Sequence, residues 1–181
     1  INRNAIKMKH SLILVCLWFF SFVSSSSVSS EAIPVVTEFW PPYIYYNDEG
    51  EVSGALAEKV RRVLDHAAVN YKMEIYPWAR AYDQALSKDS VLIFPLFRSK
   101  SRLKDFHFIC PLTSKAELFF VKLSKRNDII VNSIEEAKRY TIGLIRNDYI
   151  HELLLQHGFM DRKQLDVNAD DLSSFRKLLK G

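Results

Sequence analysis

Ile33-Pro34-Val35-Val36-Thr37-Glu38-Phe39-Trp40-Pro41-Pro42-Tyr43 is the stretch from which the fold can be read. Its first five residues form a short apolar run, as a strand buried on both faces requires. The run then breaks into an aromatic ring and two prolines. The same event recurs twice. Tyr71 to Tyr76 alternates as a second strand and opens into Pro77-Trp78-Ala79-Arg80. Val91 to Leu96 is a third strand, which opens into Arg98-Ser99-Lys100-Ser101-Arg102, with Phe106-His107-Phe108 beyond it. Three strands thus release aromatic and guanidinium side chains just past their C-terminal ends, the edge at which open α/β sheets hold ligands.

The segments between the strands read as helices. A polar turn, Asn47-Asp48-Glu49-Gly50, leads to a stretch in which Leu56, Val60, Val63, Leu64 and Ala67 share one helical face. Glu58, Lys59, Arg61, Arg62 and Asp65 cover most of the remainder,. Ala79 to Leu86 is a short second helix. Strands alternating with helices predict βαβ units and a largely parallel sheet. After Pro111-Leu112-Thr113-Ser114 the rhythm restarts with an expected strand from Ala116 to Val121. Ser133 with Glu136 makes a capping box for a short helix,. Thr141 to Ile145 is a strand, and Asn147 or Asp148 caps a helix that runs to His157 and stops at Gly158,. Leu165 to Val167 is a short strand, and Leu172, Phe175, Leu178 and Leu179 stripe a last helix. The restart places a second lobe over residues 115–181, following a first over 33–114.

Ahead of both, Met8 to Ala32 has the layout of a secretory signal peptide. Lys9 and His10 precede an apolar run from Leu12 to Val23, which is followed by a serine tract,. That run is too short for a comfortable span, which needs about 20 residues. Ser30-Glu31-Ala32 offers small residues to a signal peptidase, so cleavage is expected before Ile33, although an uncleaved anchor is the alternative. Residues 1–32 are therefore read as upstream residues plus signal, and the remainder as periplasmic. Cys16 follows Val15, where a lipidation site wants a small residue. Cys110 is then the one cysteine left in the exported part, so no internal disulfide can form and a buried, inert thiol is expected,.

The whole chain carries a formal net charge of +4, and residues 1–32 hold three cations and one anion of that, which leaves +2 for the rest. Such a mild balance gives no reason to expect nucleic acid or an anionic membrane as partner. His151-Glu152 and His157 do not make a zinc site, because the histidines stand six apart where one helix face needs four,. With no glycine-rich phosphate loop and no nucleophile elbow, an enzyme, a metal and a cofactor are all unexpected.

The strand-W-P-P-Y opening, Gly54 before the first helix, Pro77 to Arg80, and the spacing from Arg102 to Phe106 together resemble family 3 of the bacterial extracellular solute-binding proteins. The likeness runs from about Ile33 to Gly181. It implies an α/β, periplasmic-binding-protein-like (type II) fold of two lobes with mixed, mostly parallel sheets, closing on a ligand by a hinge. It also implies that the second lobe and the return segment are incomplete here, because family members continue into a further strand. By this resemblance Trp40 aligns with an aromatic stacked on the ligand, with packing in the lobe core as its alternative. Tyr43 is balanced between the same two roles. Trp78 matches a contact from the end of the second strand and is preferred to Arg80, which is expected to be solvated or paired with Asp83. Arg102 aligns with the arginine that clamps a ligand carboxylate, against the alternative of a solvated basic face. Pro95 and Phe97 stand where such binders place small hydroxyl residues, with Arg98 placed to supply replacement donors. In the second lobe the turn at Arg146-Asn147-Asp148 faces the ligand, with Asp148 capping the helix. The implied partners are a small amino-acid-like or carboxylate ligand and an inner-membrane ABC transporter permease, with the protein a monomer. The alternatives are the ligand-sensing module of a membrane signalling protein, and a small-acid dehydratase for which Glu38 is the nearby carboxylate.

Overall fold

Three parallel strand ends at one edge define the first half of the molecule. The computed structural model describes residues 31–109, 111–113 and 116–180, which belong to a compact unit beginning at Glu31. The signal-peptide reading of residues 1–30 and the reading of Cys110 lie outside the described residues. Strand β1 (Ile33–Thr37) is central, with β4 (Tyr71–Ile75) on one side and β5 (Leu92–Ile93) on the other. Both pairings are parallel, with Ile33 opposite Tyr71, Thr37 opposite Ile75 and Val36 opposite Ile93. Being flanked on both sides, β1 buries Val35, Val36 and Thr37 almost completely.

Between β1 and β4 lie a small antiparallel hairpin, β2 (Tyr45–Tyr46) with β3 (Val52–Ser53), and helix α1 (Ala55–His66). The hairpin turn is closed by Asn47, whose side-chain oxygen accepts from the Glu51 N–H at 2.7 Å, and by Gly50 with φ +79°,. Helix α1 buries Leu56, Ala57 and Leu64, with Val60 packed beside them, while Val63 is 48% exposed. The predicted face is thus rotated. Burial of Ala57, about 100° round from Leu56, shifts the stripe and leaves Val63 on its flank. Gly54 precedes the helix at φ +112°, and a Cβ there would run into the Tyr43 carbonyl. That same carbonyl accepts the Leu56 N–H at 3.1 Å, so only glycine lets the Trp40–Tyr43 loop dock on the helix start,.

Helix α2 (Trp78–Ser87) starts one residue earlier than the periodicity indicates, with Pro77 as its cap residue. A proline there loses nothing, since the first N–H groups of a helix lack internal partners. The third strand is shorter than expected. Phe94 donates one more bond to Val36 O at 3.2 Å, and then Pro95 has no N–H to continue the ladder,.

The second half has its own sheet, β6 (Ile142–Ile145) parallel to β7 (Leu165–Asn168), with helices α3 (Tyr149–Gln156) and α4 (Asp171–Lys180). Ala137, Leu144, Leu154, Phe159 and Leu165 form its core. Asp148 caps α3 by accepting the Tyr149 N–H at 2.6 Å, and Gly158, φ +78°, ends it as the sequence predicts,. The expected capping box is half made. Ser133 Oγ accepts the Glu136 N–H, but the Glu136 carboxylate takes the Asn132 N–H, and the element is a short 3-10 turn, Glu136–Arg139.

Two expectations need correction. Residues 116–123 form no strand. Leu118, Phe119, Phe120 and Val121 are 45–77% exposed, because a strand exists only where another pairs with it and no described strand lies alongside,. Helix α4 forms, but its stripe is not its buried face: Leu172, Phe175 and Leu179 are more than half exposed. The helix meets the sheet through small residues instead, with Ser174 against the open side of Gly143.

Candidate functional site

The loops leaving β1, β4 and β5 carry the predicted residues, and the structure gathers some of them and not others. Trp78, the first residue of α2, is 3% exposed, and its indole N–H donates to the Asn147 carbonyl at 2.9 Å. Arg102 opens a 3-10 turn, Arg102–Lys104, and is 2% exposed. Its guanidinium lies 5.1 Å from the centre of the Tyr82 ring and 5.9 Å from that of Trp78. Phe106 backs Tyr82 at 5.5 Å. A guanidinium is weakly hydrated and flat, so aromatic walls of this kind can hold it away from water.

Two of the three Arg102 nitrogens donate to specific acceptors, and the third, Nε, is buried without a hydrogen bond. Nη1 donates to Phe97 O at 3.3 Å and Nη2 to Asn147 O at 3.2 Å, while Nε lies 3.6 Å from Glu152 Oε2. Glu152 also accepts from the Ser101 hydroxyl, with Ser99 Oγ at 3.5 Å and Gln156 Nε2 at 3.3 Å. Phe97 stacks on Tyr149, with centroids 5.0 Å apart and planes 18° apart. One face of the first half therefore meets the turn before α3 through a hydrogen-bonded and stacked seam.

Asn147 is held for this task. It adopts φ +60°, a conformation an asparagine tolerates, and its N–H donates to His151 Nδ1 at 3.2 Å,. The ring can accept there only if Nε2 carries the proton, and Nε2 faces Asp161 Oδ1 at 2.8 Å,. His151 is thus a support for the turn. Among the described residues no group of histidine, cysteine or acidic side chains could hold a metal ion.

Trp40 and Tyr43 make a second, more open aromatic pair. Their centroids are 5.1 Å apart, and they are 38% and 45% exposed. Trp40 closes its own loop, exchanging backbone bonds with Ile44 at 2.8 and 2.9 Å. Arg98 and Arg146 are exposed and are not part of the buried seam. Arg80 is exposed, one of its two expected outcomes, and lies 4.6 Å from the centre of the Tyr76 ring.

The electrostatics of the same edge are acidic. Glu38, one residue past β1, is half-buried, and burial pushes its carboxyl up to about 8, with Asp148 and then Asp171 adding to the effect. Burial also raises Asp148, against the opposing pull of the Tyr149 N–H and Arg102. Asp171, at the start of α4, is raised by burial and by Asp148. Glu38 thus feels both aspartates and Asp171 feels Asp148, and these charges make Glu38 and Asp171 harder to ionise,.

The sequence singles out Trp78, Arg102 and the turn at Asn147, but not the bonds that join them. Asn147 contributes a main-chain oxygen, which no residue type announces. Glu152 drew notice only within a histidine pattern that fails. Phe97, Ser99 and Ser101 were in view, but their partners lie about fifty residues on.

The sequence matches no family model and no curated protein. Solved structures do match. A histidine kinase sensor domain with similarity to periplasmic binding proteins superposes with TM-score 0.66 at 18% identity, covering 83% of this chain and 64% of that one. An ancestral arginine-binding protein bound to glutamine gives 0.63 at 17%, covering 84% and 66%. An ancestral amino-acid-binding protein described as a precursor of cyclohexadienyl dehydratase gives 0.65 at 13%, covering 83% and 67%. The chain thus spans about two thirds or slightly less of the length of these structures. At such identities the likeness is one of fold, and the chain has the α/β, periplasmic-binding-protein-like fold with parallel sheets, over part of its usual extent.

Proposed function

We propose that this chain is an extracytoplasmic solute-binding module that captures a small polar ligand, amino-acid-like or anionic, between two lobes formed by residues 33–114 and 115–181. The reading rests above all on Arg102, a guanidinium buried between aromatic rings at the ligand edge of a parallel sheet and directed at the turn before α3,. Arg102 clamps a ligand carboxylate, Trp78 forms the wall beneath it, and Trp40 and Tyr43 offer exposed rings for the rest of the ligand. Arg98 and Arg146 lie at the rim, where they attract anions more than they bind them. Closure follows from contacts of one ligand with both lobes, with no covalent step. The closed form then serves an ABC-type permease.

The test is calorimetric titration of the full-length protein with arginine and glutamine. Arg102→Ala should cost about 2–5 kcal/mol of affinity, and Arg102→Lys should also bind poorly because the two-pronged geometry is lost. Equal affinity for Arg102→Ala and the parent would refute the clamp.

A second reading, the sensor module of a membrane signalling protein, is favoured by the match to a histidine kinase sensor domain. The two readings differ in the segment expected after the module, so a membrane-spanning helix downstream in the coding sequence selects the sensor. A dehydratase draws on the raised carboxyl of Glu38 and on the match to an ancestral protein described as a precursor of cyclohexadienyl dehydratase. Turnover of a cyclic small acid that is lost in Glu38→Gln would select it.

A further inference from the structure

We propose that Glu152 is an internal competitor for the anion position of Arg102, one that also holds the two halves together when no ligand is bound. The inference rests on the reading of Arg102 as a carboxylate clamp. Three observations carry it. The Glu152 carboxylate faces Arg102 Nε at 3.6 Å and accepts from the Ser101 hydroxyl, with Ser99 Oγ at 3.5 Å. A buried guanidinium N–H without a hydrogen-bond acceptor, beside two hydroxyls, is the donor set a free carboxylate would seek, and here a carboxylate of the chain itself takes the Ser101 hydroxyl and stands against that N–H as an ion pair,. Next, Glu152 comes from α3, so the contact ties the second half to the loop after β5. Finally, the two members differ in exposure: the Arg102 side chain is 2% exposed and that of Glu152 is 26% exposed. Arg102 is fixed by its two carbonyl acceptors and its rings, whereas Glu152 retains access to water into which it can swing.

The consequence is selectivity. An incoming anion gains only the difference between its own contacts with Arg102, Ser99 and Ser101 and those that Glu152 gives up. A ligand whose carboxylate is presented rigidly, with further contacts on Trp40 and Tyr43, displaces Glu152, and a lone small carboxylate such as acetate does not. The ligand class is therefore a carboxylate attached to a larger polar or aromatic-stacking body. The ion pair across the seam also biases the ligand-free protein towards the closed arrangement, and this bias weakens any ligand that must first enter an open cleft.

The experiment uses the full-length protein in four forms: parent, Glu152→Gln, Arg102→Ala and the double variant. Glutamine keeps the size of Glu152 and can still accept from Ser101, so the fold is retained while the charge is lost. Titration with arginine and glutamine should show Glu152→Gln binding about five- to tenfold more tightly than the parent. The double variant should bind no better than Arg102→Ala, because without the clamp there is nothing to compete for. Small-angle scattering of ligand-free protein should give a larger radius of gyration for Glu152→Gln than for the parent. Equal or weaker binding by Glu152→Gln, or an unchanged radius of gyration, would overturn the proposal. If neither probe binds any form, the scattering comparison alone decides. Should Arg102→Ala bind as well as the parent, the clamp falls and the competitor with it. Should Arg102→Ala lose binding while Glu152→Gln matches the parent, the clamp stands and only the competitor falls.

Discussion

Trp78 and Asn147 are 69 positions apart in the chain and joined by one 2.9 Å hydrogen bond, from the indole N–H of the first to the main-chain oxygen of the second. That bond ties the start of α2 to the turn before α3, and it shares its acceptor with Arg102. The seam between the halves is thus built from two donors of the first half converging on one carbonyl of the second.

Trp78→Phe should separate this bond from the packing of the ring. Phenylalanine retains most of the buried surface but leaves the Asn147 carbonyl one donor short, at a cost of about 1 kcal/mol. Trp78→Ala removes the ring as well and should cost about 3–5 kcal/mol. Urea titration followed by circular dichroism measures both. Equal losses would mean that the hydrogen bond matters more than the ring.

Stability should depend on pH through Glu38. Its folded carboxyl titrates near 8, against 4.5 for the ordinary group, so between these values the native state holds a proton that the unfolded chain has lost. Stability then falls as pH rises through that window. Glu38→Gln removes the effect. It should match the parent near pH 4 and exceed it above pH 8, by on the order of 2 kcal/mol once solvent screening is allowed for. Melting temperatures of the two proteins across this range test the sign, and a constant difference at all pH values would refute it.

Gly54→Ala meets two obstacles, the +112° φ and the Tyr43 carbonyl that a Cβ would strike. A loss of about 1–3 kcal/mol is expected. The emission of Trp40, whose loop contains Tyr43, should change as well. An unaltered denaturation midpoint would show that the loop can move aside at no cost.

Phe119→Ser probes the open segment beyond Thr113. At 77% exposed and outside any strand, Phe119 contributes little to the described fold, and the change should stay within about 0.5 kcal/mol,. A loss of 2 kcal/mol or more in the full-length protein would mean that Phe119 is covered after all.

The first sheet was legible because its strands announce themselves locally: residues 33–36 are uniformly apolar and Pro77 punctuates the end of the second strand, whereas the third was read through Pro95, which in fact stops it. The stop at Gly158 and the cap at Asp148 were legible for the same reason, since each depends on its own backbone neighbours. Phe119 and Val121 misled because their composition fits a strand while the pairing partner is not a property of the segment. Phe175 misled because a stripe identifies an apolar face but not what covers it. At the site, Arg102 was visible as a residue type. Its burial, its two carbonyl acceptors and its ion-pair neighbour were not, since they come from Tyr82, Phe97, Asn147 and Glu152, which share no spacing with it.

The seam's central acceptor belongs to the peptide backbone, and this has a consequence for how the protein can vary. Every amino acid carries that oxygen, so the identity of residue 147 can drift while the contact survives, provided the new residue accepts φ near +60°,. A mutational scan at position 147 would therefore sort substitutions by backbone tolerance, with glycine and aspartate spared and valine and isoleucine lost. It would show nothing of the contact that the carbonyl makes with Trp78 and Arg102. The chemistry at that point is inherited through the shape of the turn and not through a side chain.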